Sequence, residues 1–248
     1  MGAPPSALVP IGYPKHRPRV HHGRVKFFFL AALLAVPAGN PVSALADPRT
    51  LNLDLVSKLT LVSARAEVVT YQGQRAVHLQ SRIGHEADDD SMMAIVPDSD
   101  FKNGVIEVDV AGAPIPQVPS ARGFIGVAFR VQAHADSFEC FYIRPTNARC
   151  DDQPRRNHSV QYTSGPAYSW RRLRTESPET YEAYADMEPG VWTHLKLEVA
   201  GTKARLYVNR ATQPALIVND LKLGDTHGAI ALWSHTFTDG YFANLRVK

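Results

Sequence analysis

The feature that most constrains this chain is a period-two alternation of apolar and polar residues that recurs from Lys58 onward. Successive side chains of a strand point to opposite faces, so alternation marks a strand with one face on a core. Val105 to Val110 shows it cleanly, with Ile106, Val108 and Val110 on one side and Glu107 and Asp109 on the other. Gly123 to Val131, Phe138 to Arg144, His158 to Thr163, Leu195 to Val199, Ala204 to Val208, Ile217-Val218, Ala229 to Trp233 and Tyr241 to Val247 also read as strands. Gln72-Gly73-Gln74 lies between Glu67 to Tyr71 and Ala76 to Leu79 as a hairpin turn, and Gly201-Thr202-Lys203 repeats the signal. The best helical candidate is Pro178 to Met187, with Ser177 as N-cap and Pro178 at the first helical position; an ordered loop is the alternative. Many short strands punctuated by Gly, Pro and Asn predict an all-β sandwich or barrel and exclude a βαβ build.

The first 46 residues read differently. Lys15, Arg17, Arg19, Arg24 and Lys26 precede the apolar run Phe27 to Val36, Pro37 and Gly39 break it, and Ala44-Leu45-Ala46 offers a cleavage site. The run is too short for a bilayer, which needs about 20 residues. Residues 1–46 are therefore expected to be a signal peptide and 47–248 one domain, secreted or periplasmic, with no membrane span after cleavage. Five of the 27 basic residues and none of the 24 acidic ones precede Asp47, which leaves 22 against 24. The basic excess belongs to the leader, and no basic, aromatic-interleaved tract predicts nucleic acid. Cys140 and Cys150 allow at most one disulfide in an exported chain, which spacing alone does not establish.

The hairpin Gly123 to Arg144 is the informative piece. Alternation puts Ile125, Val127, Phe129 and Val131 on a core face, continued by Phe141 and Ile143. Phe124, Gly126, Ala128 and Arg130, then Phe138, Cys140, Tyr142 and Arg144, fall on the other. Asn157, Ser159 and Gln161 join that second face if Val160 and Tyr162 turn inward, as do Ala231, Trp233 and His235 beside the inward Ile230 and Leu232. Small residues next to arginine and tyrosine describe a shallow polar-aromatic groove. Sugars offer hydroxyls to amides and guanidiniums and an apolar ring face to aromatics, so Arg130, Tyr142, Arg144, Asn157, Gln161, Trp170, Trp233 and His235 are the expected carbohydrate contacts. That groove requires Arg130 and Tyr142 to share a face. An ordinary solvated sheet face is the alternative.

FKNGVIEVDV, RGFIGVAFR, FECFYIRPTNARCDD, RRNHSVQY, WRRLRTESPETYE, PGVWTHLKLEVAGTKARLYVN, PALIVNDLKLG and GAIALW with GYFANLRV resemble, in their order, a bacterial domain family. It is the 3-keto-disaccharide hydrolase-like, or glycoside-hydrolase-family-16-like, family of the concanavalin A-like (laminin G-like) superfamily. The resemblance covers about Phe101 to Val247 and implies a two-sheet antiparallel jelly-roll sandwich, an exported protein and a glycan ligand. It carries fold more specifically than activity.

Glycoside hydrolysis asks for two carboxyl groups flanking the bond. Glu107-Val108-Asp109 matches the first half of the family-16 motif Glu-x-Asp-x-x-Glu, but Gly112 stands at the third position. Glu139 alternates with Phe141 and points coreward, where it needs a partner. Asp151 and Asp152, and Glu179, Glu182 and Asp186, sit in two segments expected to rim the groove. The catalytic residues stay unassigned, and a non-catalytic glycan-binding or adhesion module is the rival reading. The histidines show no zinc-type spacing, no cofactor is expected, and Asp88-Asp89-Asp90 is the one cluster suited to Ca²⁺. Arg155-Arg156 and Arg171-Arg172-Leu173-Arg174 read first as solvated charge and otherwise as a hold for an acidic polysaccharide.

Overall fold

A computed structural model of the chain describes residues 49–50, 56–82 and 92–248. The proposed leader and Asp88-Asp89-Asp90 lie outside the described residues. Two antiparallel sheets face each other. The first runs β13 (Leu216–Val218), β12 (Lys203–Val208), β11 (Thr193–Ala200), β6 (Gly104–Pro114), β15 (Thr238–Val247), β4 (Gln74–Ser81), β3 (Ala64–Tyr71), with β1 (Arg49–Thr50) also on β15. The second runs β10 (Glu182–Ala183), β9 (Val160–Gly165), β8 (Phe138–Ile143), β7 (Ile125–Val131), β14 (Gly228–Ser234), β5 (Met92–Phe101), β2 (Thr60–Val62). Along each strand order half of the neighbouring pairs are consecutive strands and half are crossovers, and side chains meeting between the layers join the two sheets.

The alternation read from the sequence is what fills the interior. Ile106, Val108 and Val110 of β6 and Leu195, Leu197 and Val199 of β11 meet Ile125, Val127, Phe129, Phe141, Ile143, Val160, Tyr162, Ile230 and Leu232 from the facing sheet in one buried cluster. The β3–β4 hairpin closes through Gln72 and Gly73, both at positive φ (48° and 77°), the primed turn whose twist suits two-residue hairpins.

The helix lies elsewhere than expected. Residues 178–180 form a turn, with Glu179 at φ 61°, and Glu182 and Ala183 then pair with Gln161 and Val160 of β9, so this stretch follows the ordered-loop alternative. Trp170–Glu176 forms α3 instead, after α1 (Pro145–Ala148) and α2 (Gln153–Asn157). The Ser169 hydroxyl caps α3 by accepting from the Arg172 amide, Arg172 pairs with Glu176 one turn on, and Leu173 anchors it to the core. The edge pairing of β10 outweighed the weaker cap at Ser177.

Candidate functional site

The outer face of the second sheet, turned away from the first, carries a second apolar cluster: Met93, Ala128, Val131, Phe138, Cys140, Tyr142, Ala231 and Trp233. Its centre is made by a glycine. Gly126 pairs with Trp233 on one side and Tyr142 on the other. A Cβ there would stand 2.1 Å from the Phe141 carbonyl oxygen, so only glycine fits. Across that gap the Tyr142 and Trp233 rings approach to 4.8 Å between centroids. Phe124 stacks on Tyr142 at 5.8 Å, and His235 meets Phe124 edge-on. Tyr168, Ser169 and Trp170 rise from the α3 side, enclosing a depression of about 190 Å³.

Beyond Phe124, Trp170 and His235, which border both, the depression opens into a second of about 340 Å³ whose lining is cationic: Arg122, Arg144, Arg155, Arg171 and Arg174. Arg144 is its hub. Its Nη1 donates to Glu182 (3.0 Å) and the His158 carbonyl (3.1 Å), and its Nη2 to the Tyr142 hydroxyl (2.9 Å) and Gln161 (2.8 Å). The guanidinium stacks on Phe124, Tyr142 and Trp170 within 5.6 Å. Its buried Nε has no partner among the described residues. Glu182 also accepts from Arg174, so two guanidiniums share one carboxylate. Burial pushes the Glu182 carboxyl up, but Arg174 and Arg144 outweigh it and hold it below its ordinary value. His158, 3.5 Å from Glu182, is held below the usual imidazole value, by burial first and by the two arginines against the carboxylate's pull.

Five of the expected contacts line this groove: Tyr142, Arg144, Trp170, Trp233 and His235. Three do not. Arg130 is fully buried on the other side of the sheet from Tyr142, so the groove drawn around that pair does not exist. The cause is a bulge: β7 and β14 shift register between Ala229 and Ala231, and Arg130 takes φ 51°. The bulge also sends Val131, expected in the core, to the outer cluster. Arg130 then donates to the carbonyls of Lys102 (2.7 Å), Gly201 (2.7 Å) and Gly224 (2.6 Å), tying three turns. Gln161 keeps the expected face but is buried beneath Arg144. Its oxygen accepts from Arg144 and its amide donates to the Tyr162 and Tyr181 carbonyls. Asn157 ends α2, exposed, bonded to Gln153 and beside a different depression with Glu179 and Tyr184. Asp152 caps α2 by accepting from the Arg155 amide, which delays the strand to Val160.

Among the described residues no Asp or Glu lines either part of the groove. Glu107 and Asp109 are on the other sheet, engaged with Lys248 and with His194 and Asn244. Glu139 points inward as expected. Its partners are the Tyr162 hydroxyl (2.5 Å) and the Leu223 amide (2.8 Å), and burial raises its carboxyl above the ordinary value despite them. Cys140 and Cys150 are free thiols, Cys140 buried and pushed well up by burial. Among the described residues no group of His, Cys, Asp and Glu is arranged to hold a metal, and no helix is long and apolar enough to cross a membrane. Among the residues that sequence reasoning missed are Tyr168, Ser169 and Arg122, from loops and a helix end where alternation gives no signal, and His158, read as strand but set at the end of α2.

No protein-family model and no curated protein matches the sequence. Among solved structures, the carbohydrate binding module CBM66 from Bacillus subtilis aligns over 77% of this chain and 96% of its own at 12% identity, with a TM-score of 0.51. A second Bacillus subtilis protein, of unknown function with a galectin-like fold, aligns over 77% and 89% at 12% identity, with a TM-score of 0.49. At these identities the likeness concerns the fold alone, and that to CBM66 agrees with the strand order above, two antiparallel sheets packed as a jelly-roll sandwich.

Proposed function

We propose that this protein is an exported carbohydrate-binding module that takes its ligand in the groove on the second sheet, without turning it over. The observation that carries the reading is the floor made by Tyr142 and Trp233, 4.8 Å apart across Gly126, with Phe124, Tyr168 and Trp170 around it. An apolar platform beside fixed guanidinium donors suits the flat face and hydroxyl rim of a sugar ring. Arg144 is held rigid by Glu182, Gln161 and the Tyr142 hydroxyl, so little freedom is lost when a ligand meets it. The Bacillus subtilis module with this fold lends support of a weaker kind, since one fold hosts many functions. The leader at 1–46 and the domain at 47–248 complete the proposal of a secreted or periplasmic protein.

Hydrolysis, including that of 3-keto-glycosides implied by the sequence resemblance, needs acid and base groups at the bond. The carboxylate beside the groove, Glu182, already serves two arginines. The test is calorimetric titration of the protein with a panel of neutral and acidic oligosaccharides, with turnover assayed on the same panel and on 3-keto-glycosides. Trp170→Ala is expected to weaken sugar binding by about tenfold or more while leaving the fold intact, because Trp170 is half-buried at the start of α3. Turnover removed by one acidic substitution would replace the module with an enzyme. An affinity that ignores Trp170 would move the site off this groove.

A further inference from the structure

We propose that the ligand of this groove is an acidic sugar, its ring on the aromatic floor and its carboxylate or sulfate among the arginines beyond Trp170. This rests on the reading of the groove as a glycan site and specifies what the glycan carries.

The aromatic half accounts for any sugar. The other half does not. Arg122, Arg144, Arg155, Arg171 and Arg174 converge on one depression, in a chain with 24 acidic residues from which to draw partners, and no described Asp or Glu lines it. Glu182 is shared by Arg144 and Arg174. Arg122 donates to the Pro119 and Ala121 carbonyls, Arg155 donates to Asn147, and Arg171 lies over the Trp170 ring at 5.0 Å; none of these three forms an ion pair among the described residues. Three guanidinium centres crowd within 5.6 Å of a single indole. Like charges gathered this closely repel, and an anion relieves the repulsion.

A second observation points the same way. Arg144 is 4% exposed and lines the depression, yet its buried Nε has no acceptor among the described residues. A desolvated donor left unmade is costly, and such groups are rare unless something else satisfies them. Guanidinium bonds neutral hydroxyls but pairs more strongly with carboxylate and sulfate oxygens. The two halves share Phe124 and Trp170, so one residue of ligand can reach both.

The protein is titrated with trigalacturonate, its uncharged methyl ester, a sulfated galactan oligosaccharide and a short single-stranded oligonucleotide, at low and high salt. The variants are Arg122→Gln and Arg171→Gln, both at exposed positions outside the Glu182 network. At least one acidic sugar is expected to bind about tenfold tighter than the ester, with that advantage shrinking in both variants and at high salt. The carboxylate and sulfate arms then rank the two anions. Equal binding of acid and ester, unmoved by either variant, overturns the acidic ligand and leaves the glycan site standing. Binding of no sugar, or preference for the oligonucleotide, overturns both.

Discussion

Two buried arginines sit on opposite faces of the same sheet, and they do opposite things. Arg130 is enclosed between the sheets, with Lys102, Gly201 and Gly224 carbonyls around its guanidinium, each from a different turn. Arg144 faces outward, shares Glu182 with Arg174, stacks on three rings and has no acceptor for its Nε among the described residues. A buried cation whose shortest contacts are backbone carbonyls, with Asn103 and Asp225 farther off at 3.5 and 3.9 Å, staples loops together. One that is pinned by side chains beneath a groove instead fixes the rings and arginines that line it. Burial alone does not separate the two; the groups that each guanidinium holds do.

Removing the staple is expected to have the largest effect. Arg130→Met leaves three carbonyls without their donor at one end of the sandwich, at a cost on the order of 3 kcal/mol, read as a fall in the urea midpoint. Sugar affinity of the molecules that stay folded should be unchanged. If stability survives and binding is lost, the division between the two arginines is wrong. Gly126→Ala comes next. The added methyl has no room beside the Phe141 carbonyl and Tyr142, so β7 and β8 must part, costing about 1–3 kcal/mol and spreading the Tyr142–Trp233 floor. Stability and affinity should fall together; an unaltered affinity would show that the floor is not where the ligand rests.

The carboxylates beside the two arginines sharpen the contrast through pH. Burial raises Glu139, near Arg130, above its ordinary value, so its contribution to stability is present in acid and lost as pH rises through the raised value. Burial also pushes Glu182 up, but Arg174 and Arg144 prevail and lower it. Its contribution is present above the ordinary carboxyl range and lost as pH falls through the lowered value. Relative to the natural protein, Glu139→Gln should therefore gain stability as pH rises through the carboxylate range, and Glu182→Gln should lose it. Each slope is at most about 1.4 kcal/mol per pH unit, because one proton is involved. Slopes of the same sign would mean that the two sites do not differ electrostatically.

How far the sequence could foresee this is clear from the strand that carries Arg130. Alternation assigned Ile125, Val127 and Phe129 to the interior and Gly126 and Ala128 to the outer face, and the structure agrees. The same rule, carried one residue further, put Arg130 with Tyr142, because period two assumes an uninterrupted ladder. A bulge inserts one residue and reverses every side chain after it, and its trigger is the pairing with β14, a strand about a hundred positions away. Trp233 and Tyr142 were legible for the opposite reason, since both lie where the ladder is regular. The cationic half was visible only as runs such as Arg171-Arg172 and Arg155-Arg156. Arg155 of one run and Arg171 and Arg174 of the other line the groove, while Arg172 stacks on Tyr168 and Arg156 on Tyr184. Spacing along a chain does not say which of two neighbouring arginines a helix will turn toward the groove.

The smallest expected effect belongs to Asn157. It is exposed at the end of α2 and meets Gln153 within its own helix, so Asn157→Ala should change stability by no more than about 0.5 kcal/mol and leave sugar affinity alone. The result is informative because His158, the next residue, borders both the cationic depression and the one beside Asn157, with Glu182 between them. If truncating Asn157 weakens binding of a long oligosaccharide but not a short one, the ligand runs past Arg144 and around Glu182 into the second depression. The outward arginine would then mark the middle of a longer groove, and the contrast with Arg130 would extend to a whole row of outward-facing side chains.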